Sequence, residues 1–315
     1  MADTTSTPSL VCIGNLTVDV AVHGGEPSAP AMGGDAAYAA LAARLHLDEV
    51  RMLAPVGSDL PDGVLDSLHD AGVSVSGLPR RELPTVRNIV TYDSDGTRRW
   101  DMLSSEEDFD ALSVYPADVD ADVLAASGIL VSAMSLDSQL ALGPWLRART
   151  EATIYLDLQE DYLEGNRDAL LELVGLCDVF LPSEIEAVTL AQTNDLEKAA
   201  RLFAEHGASV VVIKRAENGC LVLVDPAAPV VEVPASRVEP VDSTGAGDAF
   251  CGAFAAIHLL TGDPIAAAEA GAAAARIAIG SFGIDGLLAA TTTRHAAANT
   301  NHTAAAEPTM RSEVR

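Results

Sequence analysis

Apolar and polar positions follow two rhythms along this chain. Leu10-Val11-Cys12-Ile13-Gly14 is a short apolar run closed by glycine, the pattern of a buried strand. Residues 15–22 alternate in part, as a half-exposed strand does. Residues 50–56 are a further strand, followed by Gly57 to permit a turn, Asp59 placed to cap, and a helix to about Ala71. From about Leu83 to Leu103 β-branched and aromatic residues dominate, and Asp95-Gly96 between two such runs signals a hairpin. An acidic stretch, 104–122, reads as loop. After it strands (128–132, 153–158, 178–181, 209–214, 219–224, 230–233) alternate with helices (136–149, 168–175, 194–206, 266–280). From Thr291 the chain is rich in Ala, Thr, Asn and His without hydrophobic periodicity, so 291–315, like 1–8, is expected to be disordered.

Strands alternating with helices predict an α/β fold with a mostly parallel central sheet flanked by helices, in one domain over 9–290. Ligands of such sheets gather at the carboxyl ends of the strands. The β-rich segments 15–23 and 83–103 lie outside that alternation and can form a small sheet of their own.

Composition narrows the partners. The 315 residues are 49% hydrophobic, enough for a sizeable core, yet carry a formal charge of −27. Only Lys198 and Lys214 are lysines. Such a surface repels nucleic acid and anionic lipid, and no apolar run is long enough to span a membrane. Cys12, Cys177, Cys220 and Cys251 follow no metal spacing, which suits reduced thiols in a cytoplasmic protein. Cys251, one turn into a helix, is either inert packing or a thiol of lowered pKa.

The most informative stretch runs Val241-Asp242-Ser243-Thr244-Gly245-Ala246-Gly247-Asp248-Ala249-Phe250. Gly245, Ala246 and Gly247 carry little side chain, so their N–H groups can approach a ligand closely. At a helix start those groups are unpaired and the macrodipole adds positive potential, a site for a phosphate or for charge developing in phosphoryl transfer. Asp248, in the first turn, is placed to take a proton from an attacking hydroxyl. A glycine turn followed by an acidic residue is also ordinary helix-start chemistry. A second glycine turn, Gly33-Gly34-Asp35, feeds another alanine-rich helix.

The stretch Asp242 to Asp248 closely resembles the C-terminal signature of the PfkB (ribokinase-like) carbohydrate kinases, with Ser243 where threonine is more usual. Gly33-Gly34 resembles that family's N-terminal signature, with Tyr38 in place of the usual asparagine; Tyr38 either stacks on or fills space beside a ligand, or packs under a loop. The resemblance spans about Leu10 to Gly286. It implies a ribokinase-like fold whose small sheet is a lid, with Asp19, Gly33, Gly34, Asp35, Tyr38 and Arg98 toward the substrate. It implies Asp248 as base with the Gly245–Gly247 turn as anion hole, and Lys214, Asn218, Gly219, Thr244 and Gly247 toward ATP. The loop 234–242 and the helix 266–280 would flank adenine. Glu186, in a Ser183 to Glu186 element where the family has Asn-x-x-Glu, would act on Mg²⁺ through water, and Asp242 would lie at a site for a monovalent cation, commonly K⁺. The implied activity is ATP-dependent phosphorylation of a hydroxyl on a sugar or sugar-like substrate. The alternatives are a nucleoside kinase on the same fold and a catalytically silent ligand-binding relative. A homodimer through the lid edge is a further expectation.

Overall fold

The computed structural model describes residues 7–92 and 98–305, with side chains through residue 295 except that of Arg98. In chain order the strands are β1 (Ser9–Ile13), β2 (Thr17–His23), β3 (Glu26–Pro27), β4 (Ala31–Gly33), β5 (Glu49–Leu53), β6 (Val86–Tyr92), β7 (Arg98–Met102), β8 (Gly128–Val131), β9 (Thr153–Leu156), β10 (Val179–Phe180), β11 (Val210–Lys214), β12 (Cys220–Leu223) and β13 (Val231–Val233). The α-helices are α1 (Asp35–Arg44), α2 (Val64–Asp70), α3 (Glu106–Ala111), α4 (Ala121–Leu124), α5 (Leu136–Arg147), α6 (Arg167–Val174), α7 (Glu184–Ala191), α8 (Leu196–His206), α9 (Ala246–Thr261), α10 (Pro264–Ala278) and α11 (Asp285–Ala305).

The main sheet has the order β13-β12-β11-β10-β9-β8-β1-β5. It is parallel from β11 to β5, while β12 and β13 are antiparallel additions at one end. Its strands are near-continuous apolar runs because both faces are covered. One face packs against α1, α9 and α10, and the other against α5, α6 and α8. The small sheet, β3-β2-β6-β7 with β4 also paired to β2, stands apart as the residue pattern anticipates. Asp95-Gly96 lies outside the described residues, but β6 and β7 are antiparallel neighbours.

Alanine-rich α1 and α9 pack with almost no side chain between them. A Cβ on Gly252 would lie 2.0 Å from the Ala39 carbonyl oxygen. This close contact brings the starts of both helices together. Other helices, among them α3, α5, α7, α8 and α10, begin with a Ser or Asp side chain accepting from the first turn. α1 and α9 begin instead at Gly34 (φ 98°) and Gly245 (φ 74°), with no side-chain cap. At Gly34 a Cβ would meet the Asn15 carbonyl oxygen at 2.4 Å, so the turn needs glycine for space as well as for φ.

Three expectations are corrected. Residues 291–305 continue α11 rather than being disordered: Thr291 is buried and donates to the Leu41 carbonyl, and Arg294 donates to Arg44 O and to Asp48. The anchors are polar, so hydrophobic periodicity carries no trace of them, and alanine sustains the helix between. The acidic stretch 104–122 holds α3 and α4, because Ser105 and Asp120 cap them and acids in a first helical turn complement the dipole. Asp59 caps no helix; it accepts from the Thr85 N–H (2.7 Å) and Arg87 (2.8 Å), tying the loop after β5 to the foot of the lid.

Candidate active site

The carboxyl ends of β1, β9, β10 and β11 converge on the start of α9. Buried Gln139 on α5 ties the end of β9 to that of its neighbour β8, donating to the carbonyls of Asp157 and Ser132, both at 2.9 Å. The Gly245-Ala246-Gly247 turn sits between two groups of ionisable side chains.

On one flank lies a buried charged cluster. Lys214, at the end of β11, pairs with Asp157 after β9 at 2.6 Å. The Cys251 thiol donates to the same Asp157 oxygen and accepts from Lys214, each at 3.3 Å. Glu186 is buried and closes a capping box, its carboxylate accepting from the Ser183 N–H at 2.7 Å. Burial, then the Asp157 charge, push Glu186 up to about 8 despite Lys214. Burial alone would lower Lys214, but Asp157, Cys251 and Glu186 outweigh it and hold the lysine charged. Burial pushes the Cys251 thiol well up, so a lowered pKa is ruled out there. The nearest atom to a Cβ on Gly247 would be Lys214 Nζ, at 3.5 Å, so the bare turn faces a cation.

On the other flank the lid meets the turn. Asp19 on β2 is buried, with Oδ1 accepting from Asn88 on β6 (2.8 Å) and Oδ2 from Thr17 (3.0 Å). A Cβ on Gly33 would fall 2.1 Å from Asp19 Oδ2, so this glycine makes room for the carboxylate. Burial pushes Asp19 up to about 6, with Asp242 adding to the rise. Asp242 is buried and accepts from the Thr244 N–H (2.8 Å) and from the Tyr92 hydroxyl, which links lid to turn. Tyr38, one turn into α1, lies beneath Gly245: a Cβ there would be 2.4 Å from its ring. Asp35 Oδ1 accepts from the Asn15 N–H at 2.8 Å; burial, then the charge of Asp248, raise its pKa. Half-buried Asp248, in the first turn of α9, lies between the flanks: its charge acts on Asp35 and Tyr38 on this side and on Cys251 on the other. Asp19, Tyr38 and Asp242 line a small cavity with Ala21, Ser28, Ala31, Val90, Phe282 and Gly283.

The expected residues thus divide. Asp19, Gly33, Gly34, Asp35, Tyr38, Asp242 and Thr244 gather on the lid flank, Lys214, Glu186 and Gly247 on the other, and Asp248 stands between them at the start of α9. Asn218 is exposed in a short 3₁₀ turn, and Gly219 (φ 79°) is required by strand packing, since a Cβ would lie 2.0 Å from Val233 O. An open cleft beside that turn is lined by Glu217, Arg237, Val238 and Glu239 and by neither of those two residues. Arg98 pairs with Tyr92 in the β6–β7 ladder; its side chain lies outside the described residues.

The model of the pfkB family carbohydrate kinases matches residues 10–289. The chain belongs to that family. A cytidine kinase of Thermococcus kodakarensis is 29% identical over 248 residues, covering 78% of this chain and 87% of the relative. The fold is also that of an adenosine kinase from Sinorhizobium meliloti (TM-score 0.75, 22% identity, 92% of this chain and 100% of the other). It is likewise that of a fructokinase with bound ATP from Xylella fastidiosa (TM-score 0.73, 19% identity, 91% and 99%).

For this pfkB-family kinase, sequence reading missed Asn88, Tyr92 and Asp157. Asp157 left a signal, an acid ending an apolar strand. Asn88 and Tyr92 left none, because their roles depend on the parallel pairing of β2 with β6, which sets Asp19 opposite Asn88.

Proposed function

We propose that the protein transfers the γ-phosphoryl group of ATP to a hydroxyl of a sugar or nucleoside. The observation carrying this reading is the uncapped, bare start of α9 with Asp248 in its first turn, a cation on one side and a lid cavity on the other. Asp248 takes the proton of the substrate hydroxyl. The N–H groups from Gly245 to Gly247 hold the charge that develops on the phosphoryl oxygens. Lys214 lies beside Gly247 and offsets the repulsion that a chain of charge −27 exerts on a nucleotide. The residues suit Mg²⁺ as ATP carries it, with few protein carboxylates and the rest water and phosphate: Glu186 would hold it through water, and the ion would neutralise phosphate charge. A monovalent cation such as K⁺ beside Asp242 belongs to the same reading. So does a homodimer through the lid, where edge strand β7 exposes Trp100. The lid excludes water that would otherwise take the phosphoryl group.

A nucleoside acceptor is the second reading. It is favoured by Phe282 on the cavity wall, edge-on to His23, which stacks on Tyr92 at 4.4 Å. ADP release with Mg²⁺ and K⁺, screened over sugars and nucleosides, separates the two. Asp248→Asn is expected to keep the wild-type circular dichroism and lose at least about 10²-fold in kcat. Unchanged turnover would remove Asp248 from the mechanism.

A further inference from the structure

The lid cavity contains a polar atom that the folded chain does not use. Tyr38 is 1% exposed, and its hydroxyl has no hydrogen-bond partner. Its ring packs beneath Gly245 and α1 around it is buried, so a phenylalanine would fill the same space without the orphaned oxygen. A buried hydroxyl without a partner destabilises a fold. The acids that line the cavity with it, Asp19 and Asp242, are acceptors. The other polar side chain on the wall is already committed, since Ser28 donates to the Ala29 carbonyl at 2.8 Å. Asp19 and Asp242 each accept two bonds from the protein, and a carboxylate offers about four acceptor positions. Among the described residues no lysine or arginine lines the cavity.

Such a wall is matched by a ligand rich in donors, bearing one oxygen to receive a hydrogen bond and no negative charge. We propose that the Tyr38 hydroxyl is the specificity-determining donor of the acceptor pocket. It donates to an oxygen of an uncharged polyol whose own hydroxyls donate to Asp19 and Asp242, and the same set turns away sugar phosphates and sugar acids. The inference rests on the kinase reading and narrows its substrate class. Tyr38 acts here through its hydroxyl rather than by stacking, because its ring is covered by the α9 turn.

The test uses the full-length wild type and Tyr38→Phe. Both are titrated calorimetrically without ATP against neutral pentoses, hexoses and nucleosides and against their phosphorylated and carboxylate counterparts. ADP release and thermal melting are measured on the same samples. The wild type is expected to bind neutral compounds only. Tyr38→Phe is expected to raise Kd and KM about tenfold, the scale of one lost hydrogen bond, with kcat within about threefold. It should also melt at the same temperature or higher, which a hydroxyl with a structural partner would not allow. Unchanged KM and Kd, a lower melting temperature, or equal acceptance of sugar phosphates would overturn the assignment. Binding without turnover in the wild type would sink the kinase reading instead, and the Kd ratio would still decide the role of Tyr38.

Discussion

The two flanks of the α9 start treat buried charge in opposite ways. On the side of Lys214, carboxylates are buried with a cation: Asp157 is paired at 2.6 Å, Glu186 is held by its capping box, and Cys251 bridges lysine and aspartate. On the side of Asp19, carboxylates are buried with neutral donors alone, Thr17, Asn88 and Tyr92, and one hydroxyl is left without a partner. The first arrangement is internally balanced and provides a fixed positive charge beside the glycine turn. The second leaves the Tyr38 hydroxyl unpaired, at the place where we propose that a donor-rich ligand enters. Stability is thus concentrated where the phosphoryl group would be held, and surrendered where an acceptor would be chosen.

The largest effect should come from breaking the balanced side. Lys214→Met leaves Asp157 and Glu186 buried without their counter-charge, a change that costs about 3–5 kcal/mol when one partner of a buried pair is lost. Equilibrium denaturation at pH 8 measures it, and the deficit should shrink as the pH is lowered and the acids protonate. A loss below about 1 kcal/mol would mean the pair is solvated like a surface one, and the contrast between the flanks would fail.

An opposite sign is expected on the lid flank. The Asp19 pKa is raised from 3.8 to about 6 by burial, so the native state binds the proton more tightly than the unfolded chain. Its contribution is fully present below about pH 4 and is lost as the pH rises through about 6. Asp19→Asn keeps the geometry, since its amide can accept from Asn88 and donate to Thr17, and it removes that loss. Above pH 6 the variant should be more stable than the wild type by about 1–3 kcal/mol, while binding substrate worse. Melting temperatures of both proteins from pH 4 to 8 test this; parallel curves would show that Asp19 is not strained by its burial.

How much of this contrast was legible beforehand follows from what each part depends on. The glycine turn reads directly because glycines and an acid at a helix start are local, and strand-and-helix alternation reads because both faces of the main sheet are covered. Asp19, Tyr38 and Asp242 could be named, but not that they line one cavity, since that requires Gly252 to let α1 and α9 touch. Lys214 stood out as one of two lysines, whereas its partner Asp157 lies 57 residues away and is joined to it only by the order of β9, β10 and β11. The helical 291–305 segment escaped notice because its contacts to α1 are made by Thr291 and Arg294, residue types that carry no apolar rhythm.

The smallest effect concerns Cys251, and it decides what carries the balance on the Lys214 side. Its thiol lies 3.3 Å from both Lys214 Nζ and Asp157 Oδ2, distances at which sulfur is a weak donor and a weak acceptor. Burial pushes its pKa up, so it holds its proton and offers no nucleophile. If the Asp157–Lys214 pair holds the cluster, Cys251→Ala removes one small buried atom and two weak contacts. Stability should then fall by about 1 kcal/mol and kcat change by less than about twofold. Thiol-specific reagents should likewise leave native Cys251 unmodified, since α9 buries it. A tenfold loss of kcat, or rapid labelling of the folded protein, would show instead that the sulfur sets the position of Lys214, and the pair could no longer be treated as sufficient by itself.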